Sequence, residues 1–212
     1  MSFLKSIFSK EKPQRAVKSV SDLRVNDMIV LTDSFALPEN LRNQQFQVTS
    51  INTYEFEHKN QLEWVLTGPS NIELFLSLEV DDTTELKISL KVEHEDVENL
   101  FDLDQFSTVF NEPGHAELVF QSDTPKTQGW TDNHYRQHVF AKVGYFHRKD
   151  HRSESLSKYE GNGAGEQFEL YTLYNEHQSH GVDIEVWNDG DTDVFLILYR
   201  PLTDIVDMYP GS

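Results

Sequence analysis

Histidine and aspartate are the residues of this chain whose types and spacing suggest metal chemistry. Nine histidines are present, and some form pairs four residues apart, such as His134 and His138. Imidazole nitrogens on one helix face can hold a divalent metal together with a carboxylate, so Asp132, His134 and His138 are the candidate metal ligands. Residues 138–147 have a strand pattern, however, and a strand separates positions i and i+4 by about 13 Å. The alternative is therefore surface histidines in polar loops, and we expect no metal or cofactor.

The stretch "NDGDTD" at residues 188–193 places three aspartates at alternate positions, as in a calcium-binding loop. A helix-loop-helix calcium loop counted from the first aspartate needs glycine at its sixth position and glutamate at its twelfth. Those positions hold Val194 and Arg200, and both flanking segments alternate as strands do. We therefore predict a β-hairpin with Val186 opposite Val194 and with a three-residue loop, Asp189–Asp191, whose glycine supplies a positive φ.

A tryptophan lies next to that predicted loop, on the strand face opposite to Val186. Trp187 shares this face with Asp183 and Glu185, because residues two apart on a strand point the same way. An exposed aromatic side chain among carboxylates would suit a basic protein partner. We predict that Asp183, Glu185 and Trp187 form a partner-binding surface.

After Ser21, apolar and polar residues alternate along much of the chain. This period of two residues is typical of half-buried β-strands. In "NIELFLSLEV" and "ELKISLKV" the even-numbered residues are apolar and share one face. A three-residue loop that sets Val80 opposite Thr84 keeps these two faces together. The segment "EHEDVENLFDLDQFSTVFNEPG" has helical spacing and predicts one or two short helices. We predict a mainly β fold of antiparallel sheets, barrel-like or sandwich-like, with short helices.

Three segments are expected along the chain. Residues 1–20 form a basic amphipathic segment, residues 21–112 a first β unit with short helices, and residues 113–212 a second β unit packed on the first. Both units contain an apolar strand, an acidic turn and a second apolar strand, so the two could be related.

Charge narrows the range of partners. The chain has 36 acidic and 18 basic residues, a net charge of −18 at pH 7. A body this acidic repels nucleic-acid phosphates, so we expect no nucleic-acid partner, whereas a basic protein or a polyamine could be attracted.

Cysteine is absent, which excludes disulfides and thiolate catalysis. No apolar run is long enough to span a membrane and no signal-peptide pattern is seen, so we expect a cytoplasmic protein.

The first ten residues, "MSFLKSIFSK", combine apolar and basic side chains at helical spacing. A short amphipathic helix of this kind can make a weak, peripheral contact with an anionic membrane or can dock in a partner's groove. The alternatives are a helix folded onto the body of the protein and a disordered tail. The predicted docking residues are Phe3, Leu4, Lys5, Ile7 and Phe8.

The block from Leu23 to Val92 resembles a bacterial domain family of unknown function. The resemblance rests on "LRVNDMIVL", "FQVTSINTYEFEHKNQLEWVLTG" and "LFLSLEVDD", although "VNDM" replaces the glycine-aspartate turn expected at the start. Members of that family often occur in operons with proteins similar to phage shock protein A, with small multipass membrane proteins and with polyamine-synthesis enzymes. The resemblance implies a role in a bacterial envelope-stress system and supplies no catalytic residue.

Taken together, these patterns favour a non-enzymatic cytoplasmic accessory or adaptor protein that docks on a membrane surface or on a basic partner. Two alternatives stay open. One is an immunity or inhibitor protein whose acidic surface blocks a basic toxin. The other is an enzyme or binding protein with a metal or small-molecule site near a cluster of polar and aromatic residues, namely Trp130, Asp132, His134, Tyr135 and His138.

Deletion of residues 1–12 tests the docking hypothesis. We expect the truncated protein to lose co-sedimentation with anionic vesicles and co-purification of partners, because the apolar and basic side chains of the segment are gone. Unchanged association in both assays would contradict the hypothesis.

Overall fold

The structure is a computed structural model that describes residues 15–153, 156 and 165–211. The described residues form eleven strands: β1 (Met28–Leu31), β2 (Gln45–Glu55), β3 (Asn60–Thr67), β4 (Glu73–Val80), β5 (Thr84–Val92), β6 (Glu117–Val119), β7 (His134–His147), β8 (Glu166–Tyr174), β9 (His180–Trp187), β10 (Thr192–Pro201) and β11 (Ile205–Tyr209). They also form two short α-helices, α1 (His94–Leu100) and α2 (Leu103–Ser107). Single 3-10 turns lie at Val20–Asp22, Glu39–Leu41, Pro69–Asn71, Thr108–Phe110 and Leu202–Asp204. The predicted mainly β, antiparallel fold is confirmed.

Eight of these strands close into a ring in the order β2, β3, β4, β5, β10, β9, β8 and β7. The ring closes because the end of β7 returns to the end of β2, with Thr53 opposite His147 and Glu55 opposite Tyr145. Strands β1 and β11 extend the sheet from the start of β2, and β6 extends it from the start of β7. The architecture is therefore a closed antiparallel barrel with two short sheet extensions.

The two predicted β units share this one continuous sheet. Residues 21–112 supply β1 to β5 and both helices, and residues 113–212 supply β6 to β11. In each unit a short strand precedes a four-strand meander, and the meanders join through the pairs β5–β10 and β2–β7. The ring is thus complete only when both halves of the chain are folded.

Alternation in β4 and β5 gives the strands two distinct faces, as predicted. Val80 lies opposite Thr84, the register expected from parity. On the even-numbered face, Leu74, Leu76 and Ile88 are at most 1 % exposed and belong to the largest apolar cluster. The odd-numbered face, predicted to be in contact with solvent, is buried or half-buried at positions 75–79 and 85–91, because it points into the ring. This difference is the basis of the site described below.

The apolar face points outward and is covered by the segments that flank the ring. Val20, Leu37, Leu100 and Trp130 lie in these segments, and all four belong to the same buried cluster as the strand residues. The indole of Trp64 also donates a hydrogen bond to the carbonyl of Leu23 at 3.3 Å. The main core therefore lies outside the barrel. Among the described residues, no helix is long and apolar enough to cross a membrane.

Two long strands bend, so that the two ends of each strand pair with different neighbouring strands. The start of β2 pairs with β1 and its end with β7, whereas the start of β7 pairs with β6 and its end with β2. Register shifts occur between Val48 and Ser50 in β2 and between Gln137 and Lys142 in β7. Such bulges increase local twist and re-aim a strand. They allow the barrel to close at one end while the extensions diverge at the other.

The β9–β10 hairpin is present, and Gly190 has the expected positive φ of 95°. Its predicted register was wrong by two residues, since Val186 lies opposite Thr192 rather than Val194. The amide of Trp187 donates to the carbonyl of Asp191 at 2.9 Å and closes the loop earlier than expected. A shift of two residues preserves the alternation of faces. Pattern alone could therefore not distinguish the two registers.

Candidate functional site

The inner face of the barrel lines an open cavity of about 190 Å³. Each of the eight ring strands contributes to its wall, which mixes charged, hydroxyl and aromatic side chains. One residue from each strand in ring order is Tyr54, Glu63, Ser77, Lys87, Phe195, Glu185, Thr172 and Lys142. Barrels of eight strands have interiors just wide enough to be filled by side chains or to hold one small ligand. The polar, open interior here matches the second case.

Two buried acids lie on opposite walls of the cavity. Glu63 on β3 and Glu185 on β9 are four strands apart around the ring. Both side chains line the cavity and therefore point into the barrel. The charge of Glu63 accordingly raises the pKa of Glu185.

An ion pair anchors the interior. Lys87 Nζ on β5 lies 2.5 Å from Asp183 Oδ2 on β9, across the intervening strand β10. The hydroxyl of Thr172 on β8 donates to the other carboxylate oxygen at 2.6 Å. Burial by itself would lower the pKa of Lys87, but the attraction of Asp183 outweighs burial and raises that pKa above its usual value. Lys87 is therefore charged throughout the physiological range.

Glu63 and Glu185, termed here the carboxyl pair, are the most perturbed acids of the site. Burial raises the pKa of Glu63 to about 7, although a hydrogen bond from Asn52 and the charge of Lys87 oppose the rise. Burial and the neighbouring Glu63 raise the pKa of Glu185 to about 8. Both acids are buried, with 7 % and 6 % exposure. Near neutral pH the carboxyl pair therefore holds protons that exposed glutamates would have lost.

Hydrogen bonds satisfy only part of the carboxyl pair. Asn52 Nδ2 donates to Glu63 Oε1 at 3.0 Å. The hydroxyl of Tyr54 interacts with both carboxyl groups, and its pKa is raised by burial and by the charges of Glu185 and Glu63. Glu185 Oε2 is buried and has no hydrogen-bond partner among the described residues. This oxygen is therefore a buried, unpartnered atom of a residue that lines the cavity.

The mouth of the cavity is also charged. Lys59 Nζ lies 3.0 Å from Glu79 Oε1, and these side chains are 46 % and 32 % exposed. The ammonium of Lys142 lies over the ring of Phe56, 4.4 Å from its centroid. Burial and the charges of Lys59 and Lys87 lower the pKa of Lys142. The exposure of Lys59 and Glu79 gives small molecules a route into the barrel.

Aromatic rings line and flank the cavity. Phe75 and Phe195, which line it, meet edge to face, with centroids 5.4 Å apart. In a neighbouring cluster, the ring centroids of Phe168 and Phe146 lie 5.3 Å and 5.7 Å from that of Trp187. Such pairs add to the stabilisation from buried area. The carboxyl pair therefore shares the interior with both polar and aromatic groups.

The predicted partner surface at Asp183, Glu185 and Trp187 was wrong. Asp183 and Glu185 are 4 % and 6 % exposed because their strand face points into the barrel. Trp187 is half-buried against the rings of Phe146 and Phe168. The alternation of β9 was interpreted correctly, but the polar face was assigned to solvent rather than to the interior.

The three candidate metal ligands engage separate partners. Asp132 accepts a hydrogen bond from Asn175 at 2.6 Å, and His134 lies 3.2 Å from Glu117. His138 packs against Tyr174, with ring centroids 5.3 Å apart. Within the described ranges, no group of three or more His, Cys, Asp or Glu residues is placed to hold a metal ion. Trp130 and Tyr135, named for the alternative small-molecule site, do not line the barrel cavity and are buried in the outer core. A site near them stays a prediction.

The predicted docking residues of the first segment, from Phe3 to Phe8, lie outside the described residues. Docking through them stays a prediction.

Sequence reasoning did not single out Tyr54, Glu63 or Lys87. One signal was available: each lies within a strand whose alternate residues are strongly apolar, as in "TYEF", "LEWVL" and "ELKISL". When both faces of a strand are covered, its charged residues must be paired or functional. That inference requires knowledge that the sheet closes.

No protein-family model, no curated protein and no solved structure matches this chain. The arguments about function therefore rest on the cavity itself.

Replacement of Lys87 by methionine tests the anchoring role of the ion pair. We expect Lys87→Met to lower the free energy of unfolding by about 3–5 kcal/mol, because Asp183 would be left buried without its cation. Urea denaturation at pH 7 measures the change. The matched control is Arg148→Met, since Arg148 and Glu166 form a pair whose side chains are 72 % and 53 % exposed, and we expect a loss of about 1 kcal/mol or less. Equal losses in the two variants would contradict the assignment.

The raised pKa of Glu185 predicts a pH-dependent stability. Protonated Glu185 favours the folded state fully below its ordinary pKa of 4.5, and this contribution is lost as the pH rises through about 8. Glu185→Gln should therefore stabilise the protein at pH 9 relative to the wild type by about 2–4 kcal/mol, since one pKa unit corresponds to about 1.4 kcal/mol. The gain should vanish near pH 4. Denaturation across this range measures it, with exposed Glu39→Gln as control, and a pH-independent difference would refute the prediction.

Proposed function

We propose that this protein is a binding protein for a small polar molecule, which it holds inside the barrel. The observation that carries the proposal is the buried Glu185 Oε2, an acceptor without a hydrogen-bond partner among the described residues in the wall of an open cavity. A buried unsatisfied polar group costs about 1–3 kcal/mol. A ligand that donates to this oxygen would recover that cost.

The composition of the cavity wall supports the proposal. Buried ion pairs such as Lys87–Asp183 seldom increase stability over apolar residues of similar volume. An interior chosen for stability alone would therefore be filled by aliphatic side chains. Instead, carboxyl, ammonium and hydroxyl groups converge on one space that aromatic rings also line. A pocket with a few convergent polar groups and perturbed pKa values is the usual arrangement of a small-molecule site.

The size and access of the cavity limit the ligand. Its volume of about 190 Å³ is below the range of about 300–1,000 Å³ that is typical of drug-sized ligand sites, so a ligand must be a small molecule. The pair Lys59 and Glu79 at the mouth is partly exposed, whereas Glu63 and Glu185 lie deeper. A ligand could therefore enter past Lys59 and Glu79 and reach the carboxyl pair. The adaptor function and its basic partner stay predictions beside this proposal: docking depends on residues before Arg15, and the basic partner on the acidic charge of the chain.

Filling the cavity tests the proposal. Ser77 is 8 % exposed, lines the cavity and accepts a hydrogen bond from Gln61 at 3.0 Å. Ser77→Phe should place a ring in the space that a ligand needs. Binding of small polar molecules to the wild type and the variant is compared by ligand-observed NMR. We expect the affinity for the variant to be lower by about tenfold or more, because the new ring excludes ligands from a preformed pocket.

The matched control is Ser77→Ala, which removes the hydroxyl group but keeps the space open. It should bind the same molecules with at most a small change. Equal binding to Ser77→Phe and the wild type would place the ligand elsewhere. A panel of amines, acids and neutral polar molecules without any binder would also contradict the proposal.

A further inference from the structure

The charges of the cavity are not all compensated within it. Lys87 pairs with Asp183, Lys59 pairs with Glu79, and the third lysine of the cavity, Lys142, lies over the ring of Phe56. In the described part of the chain, no salt bridge joins Glu63 or Glu185 to a lysine or arginine. Two buried acids thus lie in one space without a cation in direct contact. Carboxylates in that position need protons or a cation from outside the chain.

We infer that the cavity binds a small molecule carrying an alkylammonium group, that Glu63 and Glu185 hold this group between them, and that binding releases a proton from the carboxyl pair to solvent. The inference rests on the proposed function and names the class of its ligand.

The geometry favours an ammonium over other groups. An ammonium has three N–H donors, enough for the free Glu185 Oε2 and for the carboxyl group of Glu63 on the opposite wall. A ligand carboxylate would instead add a third acid beside the pair. A neutral hydroxyl could donate one hydrogen bond but would leave the carboxyl pair without a cation.

The walls around the carboxyl pair suit the alkyl part of such a ligand. Phe56, Val139 and Leu170 line the same cavity and offer apolar contacts. The ammonium of Lys142 already lies over the face of Phe56 at 4.4 Å from the ring centroid. Aromatic faces attract cations through their quadrupole. An alkylammonium can therefore contact both carboxyl groups and apolar walls at once.

Other titratable groups face the carboxyl pair from the neighbouring strands, and they bear on its proton affinity. They are Tyr54 from β2, Glu73 from β4, Lys87 from β5, Lys142 from β7, Tyr174 from β8 and Asp183 from β9, while β10 presents the apolar Phe195. The mouth adds the compensated pair of Lys59 and Glu79. Tyr54 and Tyr174 have raised pKa values and stay neutral near pH 7.

The release of a proton follows from the proton affinity of the carboxyl pair. With pKa values of about 7 and about 8, the two acids hold at least one proton at pH 7 in the empty cavity. A bound cation favours their ionised forms, so a proton leaves as the cation enters. An alkylammonium keeps its own charge, since amines of this kind titrate near pH 10.4, as lysine does. Affinity should therefore increase from pH 5.5 to pH 8.5.

Three probes of matched length test the inference, namely n-butylammonium chloride, n-butanol and sodium butyrate. Their binding to the full chain is measured at pH 8 by chemical-shift titration and by calorimetry. We expect butylammonium to bind about tenfold more tightly than either of the others, and to bind about tenfold more weakly at pH 5.5, because the carboxyl pair is then protonated. Calorimetry at pH 7 in two buffers of different ionisation enthalpy should show release of about one proton for each bound ammonium.

Two variants on opposite walls, Glu185→Gln and Glu63→Gln, should each lower butylammonium affinity about tenfold or more and reduce the proton release, because one carboxyl group is removed. The exposed Glu39→Gln is the control and should match the wild type. If one of the two glutamine variants fails to fold, the other still tests the inference.

Butanol or butyrate binding as tightly as butylammonium would overturn the inference but leave the proposed function intact, provided that Ser77→Phe blocks them. The same holds if butylammonium binds both glutamine variants as it binds the wild type. If butylammonium does not bind, the ammonium inference fails. The proposed function fails as well only if no other molecule of the wider panel distinguishes Ser77→Phe from Ser77→Ala.

Discussion

Lys87 and Asp183 meet at 2.5 Å inside the barrel, and their strands are separated only by β10. A buried charge without a partner costs more than a buried pair gains, so loss of either residue destabilises the fold. Their contact fixes the position of a positive charge in the cavity. Burial raises the pKa of both Glu63 and Glu185, and the charge of Lys87 opposes the rise. The proton affinity of the carboxyl pair is therefore set mainly by burial and moderated by a lysine that does not belong to the pair.

A charged interior is compatible with a stable fold because the apolar core lies elsewhere. The outward faces of the ring strands pack under the segments around Val20, Leu41 and Leu100 and form one continuous cluster. Burial of apolar area contributes about 25 cal/mol per Å² wherever it occurs. In a small barrel the interior usually supplies that burial. Here the outer layer supplies it, so the interior can hold polar groups and open space.

The fold class could be predicted from the sequence because its signals are local. Alternation in β4 and β5 gives both the strand type and the register of Val80 opposite Thr84. Closure of the ring depends instead on a contact between residues about ninety positions apart, such as Thr53 with His147. No local pattern encodes that contact. The assignment of the polar face to solvent failed for this reason, and Asp183 and Glu185 were placed on a partner surface instead of in the cavity.

Exchange of a proton for an ammonium has a structural consequence for the barrel. In either state one positive charge sits at the carboxyl pair, so the total charge inside the ring is nearly the same with and without ligand. The aromatic pair of Phe75 and Phe195 and the ion pair of Lys87 and Asp183 can then keep one arrangement. A preformed site of this kind binds without the cost of reorganising packed side chains. Its selectivity would come from charge and hydrogen-bond geometry, while closure of the barrel supplies the rigidity.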